Sequence, residues 1–288
     1  MTTPSTPTAP ALAPATHVAF IGGGNMAGAI LGGLIRGGLP TRQIQVVEPL
    51  AAAREKLARE HGIAAHEQAG DFLQEAGLIV WAVKPQSFAQ AAAPVRPHAG
   101  DHAGMRALHL SVMAGIRVAA IAAAIGGARI VRAMPNTPAL IGQGMTGLYA
   151  APGVQAADRA RAEAVIRATG DALWVADESL LDAVTALSGS GPAYVFYVLE
   201  AMQAAGVQLG LAPEQARHLA VATFAGSAAL ARQADEPLAT LRERVTSKGG
   251  TTHAALTVLD SAHMQPAFIR ALHAAAVRAK ELGDEFGA

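Results

Sequence analysis

The chain contains no cysteine. A disulfide framework and a thiolate zinc site are therefore excluded, and a reducing cytoplasm is the expected compartment. Charge is scarce and balanced, with 22 Lys and Arg against 22 Asp and Glu and 15% charged residues in all. Nothing supplies the basic footprint that a phosphate backbone requires, so nucleic acid is not an expected partner. The histidines are scattered rather than set at metal-ligand spacing, and no metal is expected. Long apolar runs are missing too. LIVWAV at 78–83 is among the longest, far short of the roughly 20 residues that cross a bilayer, so no membrane is expected either. The first sixteen residues, MTTPSTPTAPALAPAT, have neither the basic start nor the apolar core of a signal peptide. Without hydrophobic periodicity, residues 1–16 read as the disordered tail of a soluble protein.

What remains is apolar sequence in quantity: 288 residues, 51% of them hydrophobic, suit two domains. Over residues 17–176 the β-rich runs HVAFIG, QIQVVE, LIVWAV, ALHLSV, RIVRAM, MTGLYA and ALWVA stand out, most of them followed by a stretch of helical length. Strands without polar alternation imply a parallel sheet covered on both faces, a doubly wound α/β domain. From residue 177 to 288 strand signals vanish, and helices are predicted over 178–209, 213–234, 237–245, 253–260 and 264–282. The second domain is all-α.

The first strand runs into Gly22-Gly23-Gly24-Asn25-Met26-Ala27, a GxGxxA form of the dinucleotide fingerprint. Gly22 permits the tight turn, Gly24 admits the pyrophosphate to the backbone, and Ala27 lets the helix pack on the strand. Glycine-rich turns are common. This one follows a strand, opens a helix and precedes an acid, Glu48, at the tip of the next strand. That carboxylate can accept from the adenosine ribose and repels a 2′-phosphate. Arg42 and Arg54 are either partners for that phosphate or plain surface charges. Lys84, held extended by Pro85 at the end of a later strand, faces the nicotinamide ribose or solvent. Asn136 and Thr137, bracketed by Pro135 and Pro138, form either a rigid polar loop of the site or an ordinary turn.

The stretches IGGGNM, AVKP, RAMPNTPA, LSGSGPAY and VTSKGGTT, in this order and at these distances, strongly resemble the pyrroline-5-carboxylate reductase family. The resemblance covers residues 17 to 282. It implies a Rossmann-type domain joined to a helical dimerisation domain, and reduction of the cyclic imine to L-proline by NADPH or NADH, the last step of proline biosynthesis. It also implies a homodimer and often a decamer of five dimers. The cofactor is expected against Ile21, Gly22, Gly23, Gly24, Asn25, Met26, Glu48, Ala82, Val83, Lys84, Pro85, Met113, Ala114 and Asn136. The substrate is expected against Val245, Ser247, Gly249, Gly250, Thr251 and Thr252. Thr252 is the implied catalytic residue, on the ring nitrogen, with backbone N–H groups around Gly249, Gly250 and Thr251 on the carboxylate. Amides at a helix N-terminus suit a small anion, and adjacent glycines let the chain curl around it. Thr252 read without the resemblance is an ordinary helix cap.

Two positions depart from the family. Proline is usual where Lys248 stands, and a small residue is common where Glu48 stands, which leaves NADH and NADPH both open. A protonated C=N needs positioning more than a nucleophile, which suits a chain with no evident Ser-His-Asp set or paired carboxylates. Two other readings stay open. A β-hydroxyacid dehydrogenase needs a helix-borne lysine that residues 188–234 lack. A non-catalytic dinucleotide sensor would bind the cofactor without turnover.

Overall fold

The computed structural model describes residues 16–99, 107–127 and 129–286. Residues 1–15 of the expected tail lie outside the described residues, and Thr16 is packed, at 8% exposure, just before the first strand.

Strands β1 (Val18–Ile21), β2 (Ile44–Val47), β3 (Leu78–Trp81), β4 (Leu108–Ser111), β5 (Ile130–Met134), β6 (Gly144–Ala150) and β7 (Gly170–Trp174) form one sheet. Their spatial order is β2-β1-β3-β4-β5-β6-β7. β1, β3 and β4 are buried along their whole length, which is why they read VAFI, LIVW and LHLS without alternation. Helices α1 (Asn25–Arg36), α2 (Ala51–His61), α3 (Phe88–Ala99), α4 (Val118–Ile125) and α5 (Ala156–Arg167) supply the covering layers. Ile30, Leu57 and Val165 from α1, α2 and α5 close one face over Phe20 and Val80. Val95 and Ile121 from α3 and α4 close the other over Ile21 and Trp81.

The sheet is not parallel throughout, as the sequence suggests. β6 runs antiparallel to β5, while every other pairing is parallel. The link between them is a 3₁₀ turn, Thr137–Ile141, too short for the crossover helix that a parallel neighbour requires. A further strand is reduced to one bridge. The His66 N–H donates to the Val46 carbonyl at 2.7 Å and the Glu48 N–H donates to the His66 carbonyl at 2.8 Å, outside β2. The chain then recrosses through the turn Asp71–Glu75, whose Leu73 packs into the second face. Winding therefore reverses between β1 and β3, and the crevice at their carboxyl ends is where such a sheet takes a ligand.

By contacts the chain divides into two compact units, one running to Ser190 and resuming at Ala275, the other Gly191–Ala274. Residues 178–190 lie in the first unit, where ionic contacts tie them to the sheet. Glu178 Oε1 accepts from Arg132 Nη1 at 2.6 Å and from the Val118 N–H at 2.7 Å. Arg117 Nη2 meets Asp182 Oδ2 at 3.2 Å and Asp284 Oδ1 at 3.7 Å. Burial draws the Arg132 pKa below its usual value and Glu178 opposes that. A buried guanidinium left without its carboxylate is strongly destabilising, so residues 178–182 stay with the sheet.

The stretch predicted as one helix over 178–209 is broken into α6 (Leu180–Val184), a π-turn at Thr185–Gly189, and α7 (Gly191–Gln208). The second unit holds α7, α8 (Pro213–Gln233), α9 (Leu238–Arg244), α10 (Thr251–Ser261) and the first part of α11 (Met264–Phe286). Helices α7 and α8 cross so closely that a Cβ on Gly206 would lie 2.8 Å from that of Ala216. Within 191–274 only Ala216 and Ala220 are fully buried, and Phe196, Tyr197 and Leu230 are exposed by 59%, 75% and 68%.

One buried polar pair in the sheet unit gives stability a pH dependence. Trp81 Nε1–H donates to His109 Nδ1 at 3.0 Å, which places the remaining imidazole hydrogen on Nε2. Burial lowers the His109 pKa from 6.5 to about 4. Between those values the unfolded chain binds a proton that the folded chain refuses. Its contribution is full above about pH 6.5 and is lost as pH falls toward 4, by roughly 3 kcal/mol in the limit. His109→Gln keeps an acceptor for Trp81 and removes the titration. Chemical denaturation of both proteins near pH 7 and near pH 4.5 should show a steeper loss for the parent; equal losses would mean that His109 does not titrate on unfolding.

Candidate active site

The sheet unit presents three loops at its carboxyl edge: 21–26 after β1, 82–87 after β3 and 111–117 after β4. The Ala82 N–H donates to the Ile21 carbonyl at 2.8 Å, and the Val112 N–H donates to the Trp81 carbonyl at 3.0 Å, so the loops are tied strand to strand. Gly22 has φ +98°, and a Cβ there would lie 2.7 Å from the Ala82 carbonyl oxygen. Only glycine serves that turn. Beyond it, Gly24 is the N-cap of α1, with no side-chain cap and no acid in the first turn. A Cβ at Gly24 would meet nothing within 4 Å. Free amides facing open space at a helix N-terminus are what a pyrophosphate needs, and these residues fit a dinucleotide.

Glu48 sits where the sequence places it, but its carboxylate is already engaged. Oε2 accepts the Gly23 N–H and Oε1 the Leu50 N–H, each at 2.8 Å, and the residue is only 7% exposed. Glu48 thus fastens the fingerprint loop to the tip of β2. Neither arginine is free to serve a 2′-phosphate there. Arg54 donates to the carbonyls of Glu48 and Pro49 and pairs with Glu67. Arg42 lies in the turn before β2, at the opposite end of the strand.

Lys84 is extended at φ −64°, ψ 143° and exposed. Met113 is buried and Ala114 exposed, and the Met113 N–H donates to Ser111 Oγ at 3.3 Å. Asn136 is half-buried and spends its amide internally, on Met145 and Ser188. Met145, Ser188 and Leu57, whose Cδ1 lies 2.7 Å from where a Gly23 Cβ would be, are contributors that sequence reasoning misses. The glycines of SGSGP are the only hint of the π-turn.

In the helical unit, the loop from Val245 to Gly250 joins α9 to α10. Val245 caps α9 and is exposed. The Gly250 N–H returns to the Ser247 carbonyl at 3.0 Å, and Gly249 takes φ +76°. Helix α10 begins at Thr251, earlier than predicted, with Gly250 as its N-cap and no side-chain cap. Thr252 therefore does not cap the helix. It is half-buried in the first turn, and its hydroxyl has no hydrogen-bond partner among the described residues. The N–H groups of Thr251, Thr252 and His253 likewise lack a backbone acceptor.

Among the described residues no helix is long and apolar enough to cross a membrane, and no group of three or more His, Asp or Glu could hold a metal ion.

Comparison with known proteins agrees with this geometry. Residues 178–282 match the family model described as pyrroline-5-carboxylate reductase dimerisation, and residues 17–114 match one described as NADP oxidoreductase, coenzyme F420-dependent. The chain is 42% identical to pyrroline-5-carboxylate reductase of Pseudomonas aeruginosa over 94% of its length and 98% of the relative. It is 40% identical to that of Haemophilus influenzae, over 92% and 97%. A solved pyrroline-5-carboxylate reductase from Coxiella burnetii superposes with a TM-score of 0.86 at 37% identity, over 93% of this chain and 98% of that one. One from Plasmodium falciparum, with NADP bound, gives 0.81 at 25%, over 93% and 98%.

The fastening by Glu48 separates two effects that a simple charge argument merges. Glu48→Gln keeps an acceptor for one loop N–H and removes the negative charge, so kcat/KM with NADPH relative to NADH should rise by about tenfold, the effect of one like-charge contact. Glu48→Ser should weaken both coenzymes as well, since the Gly23 N–H loses its acceptor. Steady-state kinetics with each coenzyme check this. A ratio unchanged in the glutamine variant would make Glu48 a loop fastener alone.

Proposed function

The chain belongs to the pyrroline-5-carboxylate reductase family, and we propose that Thr252 with the Ser247–Thr251 loop holds the substrate in the reaction of that family. The protein is an NAD(P)H-dependent oxidoreductase that reduces the C=N bond of L-1-pyrroline-5-carboxylate to L-proline, the last step of proline biosynthesis. When bound, NAD(P)H supplies the hydride for the imine carbon. Gly24, Asn25 and Met26 hold its pyrophosphate through their amides, Glu48 its adenosine ribose, and the Ala82–Pro85 and Met113–Ala114 loops the nicotinamide half.

The observation that carries the role of Thr252 is its unengaged hydroxyl beside unengaged amides at the start of α10. The amides of Thr251, Thr252 and His253 favour the carboxylate through the helix dipole, whereas the Gly250 N–H is taken by the Ser247 carbonyl. The Thr252 hydroxyl accepts from the protonated ring nitrogen and so favours the charged C=N, the form that takes hydride more readily. A threonine needs no shifted pKa for this. Its contribution is orientation and one hydrogen bond that strengthens as the reaction proceeds.

Thr252→Ala should lower kcat more than it raises KM for the imine. Loss of one hydrogen bond of about 1 kcal/mol gives roughly fivefold, and a positioning role carries the loss toward a hundredfold. Thr252→Ser should restore most of the turnover. Because Gly250 is the cap, the melting temperature should barely move; an alanine variant that melts lower and turns over normally would sink the assignment.

The segment 178–282 is a dimerisation domain, and we take the assembled unit to be a homodimer, with a decamer of five dimers as the larger assembly. Support comes from the exposed apolar residues of α7 to α11 and from an apolar recess of about 850 Å³ lined by Met202, Phe224, Leu230, Leu238, Leu241 and Val245. A surface of that kind rarely stays in water. A chain without cysteine, in a reductive biosynthesis that draws on the nicotinamide pool, supports a cytoplasmic location. Light scattering at micromolar concentration should report at least two chains per particle, and a monodisperse monomer would refute the assembly.

A further inference from the structure

We propose that Asn136 is a positioning residue for hydride transfer, acting through Ser188 rather than by touching the cofactor. Its Oδ1 accepts the Met145 N–H at 2.9 Å, and its Nδ2 donates to both the carbonyl oxygen and Oγ of Ser188, each at 3.2 Å. Ser188 Oγ in turn reaches the Met145 carbonyl at 3.5 Å. One side chain therefore joins the carboxyl end of β5, the first residues of β6 and the π-turn Thr185–Gly189. The π-turn is itself close-fitted: the Ser190 N–H donates to the Thr185 carbonyl at 2.8 Å, and a Cβ on Gly189 would lie 2.6 Å from Met134 Cε.

The sheet order says which end of the crevice this clasp stands at. The pyrophosphate belongs at α1, the adenosine toward β2, and the nicotinamide on the other side of the reversal between β1 and β3, toward β4 and β5. Asn136 lies just past β5, after Pro135. Its amide has both polar atoms committed within the protein, which leaves it poorly disposed to bind a ligand and well disposed to hold a wall. π-turns are rare, have poorer backbone geometry than the α-helix and concentrate at functional sites. This one persists because the clasp and the Gly189 contact hold it. Loss of the clasp releases Ser188 at the reacting end of the crevice while leaving the pyrophosphate and adenosine sites intact.

The inference rests on the reductase activity and not on the role given to Thr252, which stays unchanged in the test. Asn136→Asp keeps the acceptor for Met145 and removes the donor to Ser188, so it folds with half of the clasp intact. Asn136→Asp and Asn136→Ala should each lower kcat by roughly ten- to fiftyfold, with the Kd for NADH and NADPH, read by fluorescence titration, within about twofold of the parent. Ser188→Ala should show a smaller loss of the same kind. The double variant Asn136→Ala/Ser188→Ala should be no slower than Asn136→Ala alone. A tenfold rise in coenzyme Kd for Asn136→Ala with Ser188→Ala normal would mean direct contact with the cofactor. Multiplicative losses would mean that the residues act independently. Full turnover by Asn136→Asp, or a lowered melting temperature with kcat unchanged, would reduce the clasp to a structural feature. Each of these results overturns the proposal.

Discussion

The close approach of Gly22 to the end of β3 is the constraint on which the sheet unit depends. A turn with φ +98° that would put a Cβ 2.7 Å from the Ala82 carbonyl brings β1 and β3 level at their carboxyl ends. With that turn made, α1 starts where its amides face the crevice, and the Glu48 carboxylate is within reach of the Gly23 N–H. The same carboxylate therefore does two things. It gives a loop amide its acceptor, and it sets a carboxylate at the tip of β2, beside an Arg54 guanidinium that is spent on the Glu48 and Pro49 carbonyls and on Glu67. One side chain thus sets both the shape of the loop and the charge beside it.

Charge plays the same fastening role further along the sheet, at β5. Arg132 is almost wholly buried in β5, and its need for a carboxylate is met by Glu178, which also accepts the Val118 N–H at the start of α4. Arg117 adds Asp182 and, from the last helix, Asp284. These pairs hold segments that look purely helical in sequence against the loop after β4. They explain why the sheet unit runs on to Ser190 and takes back the chain from Ala275. Net charge near zero hides this, because the charges that matter are few and inside.

How legible the molecule is in sequence follows from how local each cause is. Strands β1, β3 and β4 are legible because doubly buried strands are apolar without alternation, and the fingerprint is legible because steric demands restrict its residue types. The direction of β6 is not, since a short turn with Pro135 and Pro138 looks the same whether the next strand runs forward or back. The single bridge at His66 is invisible because one residue has no periodicity. The π-turn is nearly hidden because, apart from its glycine, Thr185–Gly189 has helix composition, and its hydrogen bond to Asn136 joins residues far apart in sequence. Glu48 is found for its charge, while its bond to Gly23 depends on a turn that places the two side by side. Thr252 is singled out by resemblance alone; only the position of the helix start at Thr251 separates a cap from a free hydroxyl.

The helical unit poses a different problem, because its sequence is clear and its stability is not. Residues 191–274 fully bury only Ala216 and Ala220, yet they order five helical segments. Ordering a residue costs about 1 to 2 kcal/mol in backbone entropy alone, and a few alanines release far less than the sum over such a stretch. The missing contribution must come from covering Phe196, Tyr197, Leu230 and Leu238, which a dimerisation domain does by meeting its own copy. Folding of this unit and assembly of the protein are then one equilibrium. The loop that carries Thr252 is presented by helices of this unit, α9 and α10. Substitutions on the exposed faces of α7 and α8 should therefore act on activity through concentration, their effect fading as the protein is concentrated.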